Sequence, residues 1–268
     1  MQAKTEELLY FLLWTCGMLA RPTFRNLTGS FEAWAYRNGL SRQLAALERQ
    51  KLLESLRAGH HRAPRLDRVL RLSEAGRLQA LGGRDPETWW RRRWDGYWRL
   101  VLFDVPNSQA ELRNRLRTQL RRRGFGWLQN SVWISPDPLD LEKVTLPGRR
   151  RDVESLITLE GRPAAGESDQ EIVAGAWDFE KINRLYSEHV RVLADCPTGA
   201  LRDIAAADCF RRWAAQERRA WLAATTEDPL LPEALLPAGY LGRKAWQKRL
   251  TVMRSAAPLV RAFNTHNL

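Results

Sequence analysis

The stretch WRLVLFDVPNSQAELRNRLRTQLRRRGFGWLQNSVWIS, Trp98 to Ser135, constrains the fold more than any other part of the chain. WRLVLFDVP is a continuous apolar run, as expected of a strand buried on both faces or covered by helices on one, and Pro106 ends it. SQAELRNRLRTQLRRRG then places Leu112, Leu116 and Leu120 four apart, a helical stripe facing a sheet, with Gly124 as the C-terminal stop. Arg113, Arg115, Arg117, Arg121, Arg122 and Arg123 fall away from that stripe. FGWLQNSVWIS supplies two short strands, PLDLEKVTLP (Pro138 to Pro147) a second helix, and RRRDVESLITLEG a last strand. Strand, helix, two strands, helix and strand is the split pattern of a ferredoxin-like domain, expected over 98–168.

Upstream, the spacing predicts a different unit over 1–83. TEELLYFLLWTCGMLA reads as a long apolar helix, and Ser30 caps a second that ends at Asn38 and Gly39. Ser41 caps a third, in which Leu40, Leu44 and Leu47 face inward and Arg42, Gln43, Ala45, Ala46 and Arg49 lie nearer the outside. KLLESL and RVLRLSEAG, joined by the basic RAGHHRAPRLD, read as a hairpin with a long tip. This is the layout of a winged helix-turn-helix, which sets its third helix in the major groove and its wing along the backbone. Those positions call for cationic, amide-bearing or small side chains. Arg42 and Gln43 are the candidates for base edges, and Ser41, Arg49, Arg62 and Arg65 for phosphates.

The Trp-rich connection 84–97 links this unit to the central domain, and a helical domain is expected over 169–268 from FEKINRLYSEHVRVLA, ALRDIAAADCFRRWAAQERRAWLAA and GRKAWQKRLTVMRSAAPLVRAFN. The fold class is therefore α+β: an N-terminal winged helix-turn-helix, a central ferredoxin-like domain and a C-terminal helical domain.

A net charge of +12 makes a polyanion the leading partner, because a basic surface releases counterions on binding one, and here the arginines cluster. Cys16, Cys196 and Cys209 stand far apart, which suits reduced thiols in a cytosol and buried small side chains. His189, Cys196 and Cys209 lack the paired spacing of a zinc site, so no metal is expected. The apolar run Leu8 to Ala20 is shorter than the ~20 residues of a spanning helix and follows a start unlike a signal peptide, so neither membrane association nor export is expected. GRPAAGESDQ lacks the Lys-Ser/Thr of a phosphate-cradling loop, and no G-x-S-x-G or H-E-x-x-H occurs. Neither a catalytic residue nor a cofactor is expected.

LVLFDVP, the arginine helix and GFGWLQNSVWIS together resemble the central domain of the PaaX-like regulators, the phenylacetic-acid degradation repressor family. Trp177-Asp178 and DPLLPEALLPAGYLGRKA, Asp228 to Ala245, are similar to that family's C-terminal region. The resemblance implies a cytoplasmic, homodimeric transcriptional repressor that binds a palindromic operator in double-stranded DNA and is released by an anionic effector, an acyl-coenzyme A. SRQLAALERQ departs from the family's Arg-containing version near Ala46, so the operator does not carry over. The central pattern is also similar to a small dimeric protein of CRISPR adaptation, in which the aspartate matching Asp104 is linked to metal-dependent nuclease chemistry. Asp104 has no evident partner carboxylate, and a turn cap or a pairing with arginine accounts for it more simply. A metal-dependent nuclease and an interaction adaptor that does not bind DNA are the competing readings.

Overall fold

The structure is a computed structural model that describes residues 41–57, 68–138, 155–164, 166–199 and 204–266. The first two expected helices, the hairpin tip with Arg62 and Arg65, and residues 139–147 of the second expected central helix lie outside the described residues. The chain divides into two compact units, one of residues 1–85, 186–222 and 242–268, the other of 86–185 and 223–241, and the division falls within two of the long helices.

In the second unit, α3 (Pro86–Arg91) precedes β3 (Trp98–Asp104), α4 (Ala110–Arg122), β4 (Gly126–Gln129), β5 (Val132–Ser135), β6 (Ser155–Gly161) and α5 (Asp169–Ala176). The sheet order is β4-β5-β3-β6, and every neighbouring pair is antiparallel. That places the first and third strands of the domain in the middle and the second and fourth at the edges, the order required by a split β-α-β-β-α-β pattern. The register sets Leu100 between Ile134 and Leu159 and Leu102 between Val132 and Ile157.

The period of two sends alternate residues of β3 to opposite faces. Val101 and Phe103 meet Trp133, Phe125 and the α4 stripe Leu112, Leu116 and Leu120 on one side. Trp98 and Ile134 meet Val173, Ala176, Trp177, Leu231 and Leu235 on the other. Gly124, with φ +84°, ends α4 as expected: the Gly124 amide donates to the Arg121 carbonyl at 2.9 Å and the Phe125 amide to Leu120 at 3.0 Å. Gly126 answers to a second constraint, since a Cβ there would lie 2.6 Å from the Trp177 ring and 2.7 Å from Ala176 Cβ. Ser168 and Glu171 form a reciprocal capping box at the start of α5.

Arginine serves as an internal tie in this unit. Buried Arg99 donates to Asp95, to Glu160 at 3.0 Å and to the carbonyl of Pro136 at 3.0 Å. Its guanidinium holds the Asp95 carboxyl down at about 2. Arg92 donates to Asp137 and to the carbonyls of Trp89 and Leu230. Within the Trp-rich connection, Trp90 is buried and its indole N–H donates to the Tyr240 hydroxyl at 3.1 Å.

The first unit begins with α1 (Ser41–Arg49), β1 (Leu53–Arg57), β2 (Arg68–Leu72) and α2 (Glu74–Ala80). β1 and β2 pair antiparallel from Leu53–Leu72 out to Arg57–Arg68, so the expected hairpin arms are present. Its other described residues come from 186–222 and 242–266, largely within α6 (Phe179–Ala194), α7 (Ile204–Glu227) and α8 (Gly242–His266). Their interior is aromatic and charged together: Tyr186, Trp221 and Trp246 surround His189, Glu217 and Arg249, all buried. The expectation of buried cysteines is corrected here, because Cys209 is exposed and Cys196 only half-buried. Cys209 lies on the amphipathic helix α7 next to the inward Phe210, and one step of about 100° turns it to the solvent side. Partial burial pushes the Cys196 thiol up to about 11, an inert rather than reactive sulfur.

Candidate nucleic-acid interface

Helix α1 carries the candidate contact residues, and its own periodicity sorts them. Leu44 and Leu47 are buried. At about 100° per residue, Arg42, Ala45, Ala46 and Arg49 fall together on the opposite side. Arg42, Ala45 and Arg49 are exposed, while Ala46 and Gln43 are half-buried. Two arginines thus flank a shallow saddle of two alanines, where small side chains let another surface come close. The Arg49 Nε–H reaches back toward the Ala45 carbonyl at 3.4 Å, which lays its side chain along the helix. Ser41 stands at the first position of α1. Arg62 and Arg65 belong to the hairpin tip outside the described residues, so the structure gathers Ser41, Arg42, Gln43 and Arg49 on one helix and does not address the other two.

The helix is held to the hairpin by a junction that spacing did not reveal. Its C-terminus closes with the Leu52 amide donating to the Leu47 carbonyl and the Lys51 amide to Glu48, both at 2.9 Å, the bonding of a Schellman turn. Lys51 occupies the left-handed position at φ +57°, where glycine is the usual residue. Ser73 then joins three elements. Its hydroxyl donates to the Lys51 carbonyl at 2.7 Å and accepts from the Gly76 amide at 2.9 Å, and its amide donates to the Leu52 carbonyl at 3.0 Å. Gly76 of α2 sits so near that a Cβ would lie 2.1 Å from the Leu52 carbonyl oxygen, which excludes any side chain there. Arg77 adds ion pairs to Glu74 and Asp85 at 2.7 and 2.8 Å. α1, β1, β2 and α2 are thereby locked as one piece, so that a force on the hairpin is transmitted to α1.

Asp104 is exposed at the end of β3, opposite Ser155, and its side chain makes no ion pair with a described residue. Among the described residues Asp104 has neither the expected turn cap nor an arginine partner; Arg113 of α4 donates instead to the Val105 carbonyl at 2.6 Å. Among the described residues no group of three metal-ligating side chains gathers, at Asp104 or elsewhere. His189, considered in sequence as a partner for the cysteines, instead places Nε2 2.8 Å from Glu217 Oε1.

The comparisons with known proteins agree with this architecture. Residues 91–173 match the family model of the PaaX protein central Cas2-like domain, and residues 177–265 that of the PaaX-like protein C-terminal domain. The mixed α+β structure with its central sheet is consistent with a Cas2-like central domain. Since together they span more than half of its length, the chain belongs to the PaaX-like family. Among solved structures it is similar to the uncharacterized protein Rv0674 from Mycobacterium tuberculosis, at 21% identity over 96% of each chain with a TM-score of 0.57, a likeness of fold. No curated protein matches it. Among the described residues no helix is long and apolar enough to cross a membrane.

Proposed function

We propose that this chain is a cytoplasmic, sequence-specific DNA-binding transcriptional regulator, a dimeric repressor that reads a palindromic operator and responds to an acyl-coenzyme A or similar anionic effector. It acts by binding, without catalysis. The observation that carries the reading is the outer stripe of α1: Arg42 and Arg49 bracketing Ala45 and Ala46, on a helix locked to an antiparallel hairpin. A helix with that stripe fits a major groove, whose base edges are read by arginine and amide side chains. Within this reading α1 is the recognition helix and β1 and β2 are the wing. Arg42 and Gln43 contact base edges, and Ser41, Arg49, Arg62 and Arg65 contact phosphates. Membership of the PaaX-like family supports the regulatory role, and the +12 net charge supports the polyanionic partner.

The test is a gel-shift titration on the DNA upstream of the protein's own coding sequence against a scrambled duplex of equal length. A good bidentate base contact contributes about 1–3 kcal/mol of discrimination. The double variant Arg42→Ala, Gln43→Ala should therefore lose roughly tenfold or more of its preference for the upstream DNA, while keeping its affinity for the scrambled duplex. Wild-type preference in that variant would remove α1 from the role of reader. Repeating the titration with EDTA and then magnesium, beside Asp104→Asn, checks for cleavage: intact DNA throughout is the expected result.

A further inference from the structure

Apart from Arg113, which donates to the Val105 carbonyl, the arginines of α4 are not used by anything described above. Leu112, Leu116 and Leu120 turn inward, leaving Arg113, Arg115, Arg117, Arg121 and Arg122 around the rest of the helix, with Arg123 at its C-cap and Glu111 as its one acid. Arg115, Arg121, Arg122 and Arg123 are exposed. Two other arginines of the same unit are neutralised within the fold, Arg99 by Asp95 and Glu160 and Arg92 by Asp137. On α4 the pattern reverses: among the described residues, none of Arg115, Arg117, Arg121 and Arg122 has an acidic partner. Arg121 lies over the Trp133 ring at 5.7 Å, which orders its guanidinium without cancelling its charge.

Helix electrostatics accounts for part of this pattern. Arg121, Arg122 and Arg123 complement the negative C-terminal end of the helix dipole. Arg115 and Arg117 stand too far from that end to do so, and Arg113, Arg117 and Arg121 form a row of like charges four residues apart, which weakens a helix standing alone. An external anion relieves that repulsion. The positive groups are spread along a helix about 20 Å long and do not converge on one point, so they suit an extended, regularly charged polymer better than a compact anion. A duplex, with a charge about every 1.7 Å along its axis, is such a polymer.

We propose that the exposed arginine face of α4 is a second DNA contact, which holds sugar–phosphate backbone and reads no sequence. This rests on the proposed function, to which it adds a distinct surface with a distinct signature. Phosphate contacts release counterions, so each one steepens the salt dependence of binding by about 0.9 in log–log slope, equally for any sequence.

The experiment compares the full chain with the variant Arg115→Gln, Arg117→Gln, Arg121→Gln, Arg122→Gln, and with the milder pair Arg115→Gln, Arg122→Gln, whose side chains are both exposed. Binding to the upstream and scrambled duplexes is measured across a salt series, with circular dichroism for folding and sedimentation for mass. The expected result is a slope lowered by roughly 2 to 4 in the fourfold variant and by roughly 1 to 2 in the pair, with affinity for both duplexes reduced by the same factor. An unchanged slope overturns the proposal. So does a loss confined to the upstream DNA, or a change of oligomeric mass with the slope intact, which would make α4 a protein-docking face. A wild-type protein that binds both duplexes alike, with a slope that falls in the α4 variants, would sink the α1 reading and leave this one standing.

Discussion

The interior beneath α4 and the interior among α6, α7 and α8 are built on opposite principles. The first is packed from apolar side chains: Leu112, Leu116 and Leu120 against Val101, Phe103, Val105, Phe125 and Trp133. The second encloses a carboxylate, a guanidinium and an imidazole. Glu217 Oε1 accepts from Arg249 Nε at 2.7 Å and from His189 Nε2 at 2.8 Å, and Arg249 stacks over Trp221 with its central carbon 4.5 Å from the ring centre. An apolar interior gains stability with every side chain added. A buried charge instead carries a desolvation cost that only its partners offset, and it fixes which helices are neighbours. Here that compensation is incomplete, since Glu217 Oε2 and His189 Nδ1 are buried without a hydrogen bond among the described residues. Burial raises the Glu217 carboxyl against the opposing charge of Arg249, and burial with that same charge lowers His189 to about 3. The imidazole is therefore neutral at neutral pH, with Nε2 as its donor nitrogen.

The sharpest way to break the contrast is to remove one charge. Glu217→Leu removes the carboxylate that faces the buried Arg249 and should cost about 3–5 kcal/mol in urea unfolding. Adding Arg249→Met should recover most of it, since an apolar replacement of the whole pair is often tolerated. A single variant within about 1 kcal/mol of wild type would show that the pair does not hold these helices. In the apolar interior, Leu116→Ala should cost about 2–5 kcal/mol in the same measurement, and no second substitution of charge should rescue it.

The two interiors should also separate by pH. His189 has a folded value lowered from 6.5 to about 3, so the unfolded chain binds its proton first as pH falls. Its contribution to stability is complete above 6.5 and is lost as pH drops from there toward 3. Thermal melts of His189→Gln should show a weaker decline across that window than wild type; equal declines would remove His189 as the cause. The smallest expected effect concerns the α1 turn. Lys51→Gly relieves a left-handed lysine and should raise stability by up to about 1 kcal/mol, less the entropy that glycine adds to the unfolded chain. Gly124 already occupies the matching position on α4 and offers no such gain.

Much of the central domain was legible because its signals are local. The leucine spacing of α4, the stop at Gly124 and the apolar run of β3 each depend on residues within a turn or two of one another. So does the candidate site on α1, whose inward leucines locate its outward arginines. Other features left no such mark. Lys51 carries no glycine signal, and its left-handed turn exists because the Leu47 and Glu48 carbonyls are closed by the next two amides. Gly76 reads as an ordinary helical residue until the Leu52 carbonyl is placed against it. His189, Glu217 and Arg249 sit on amphipathic helices where a charged side chain reads as facing water.

By itself, the sequence determined the order of elements, the apolar face of each helix and strand, the helix stops and the basic character of the surface. Those follow from the periods of helix and strand and from residue chemistry, which act over a few positions. Tertiary structure alone decided which carboxylate answers which arginine. His189 and Glu217 are 28 residues apart, and Glu217 and Arg249 are 32 apart. It paired Arg99 and, among the described residues, left Arg115, Arg117, Arg121 and Arg122 without acidic partners. The free energy of a charge depends on what lies within a few ångströms of it, and folding brings together residues that the chain keeps far apart.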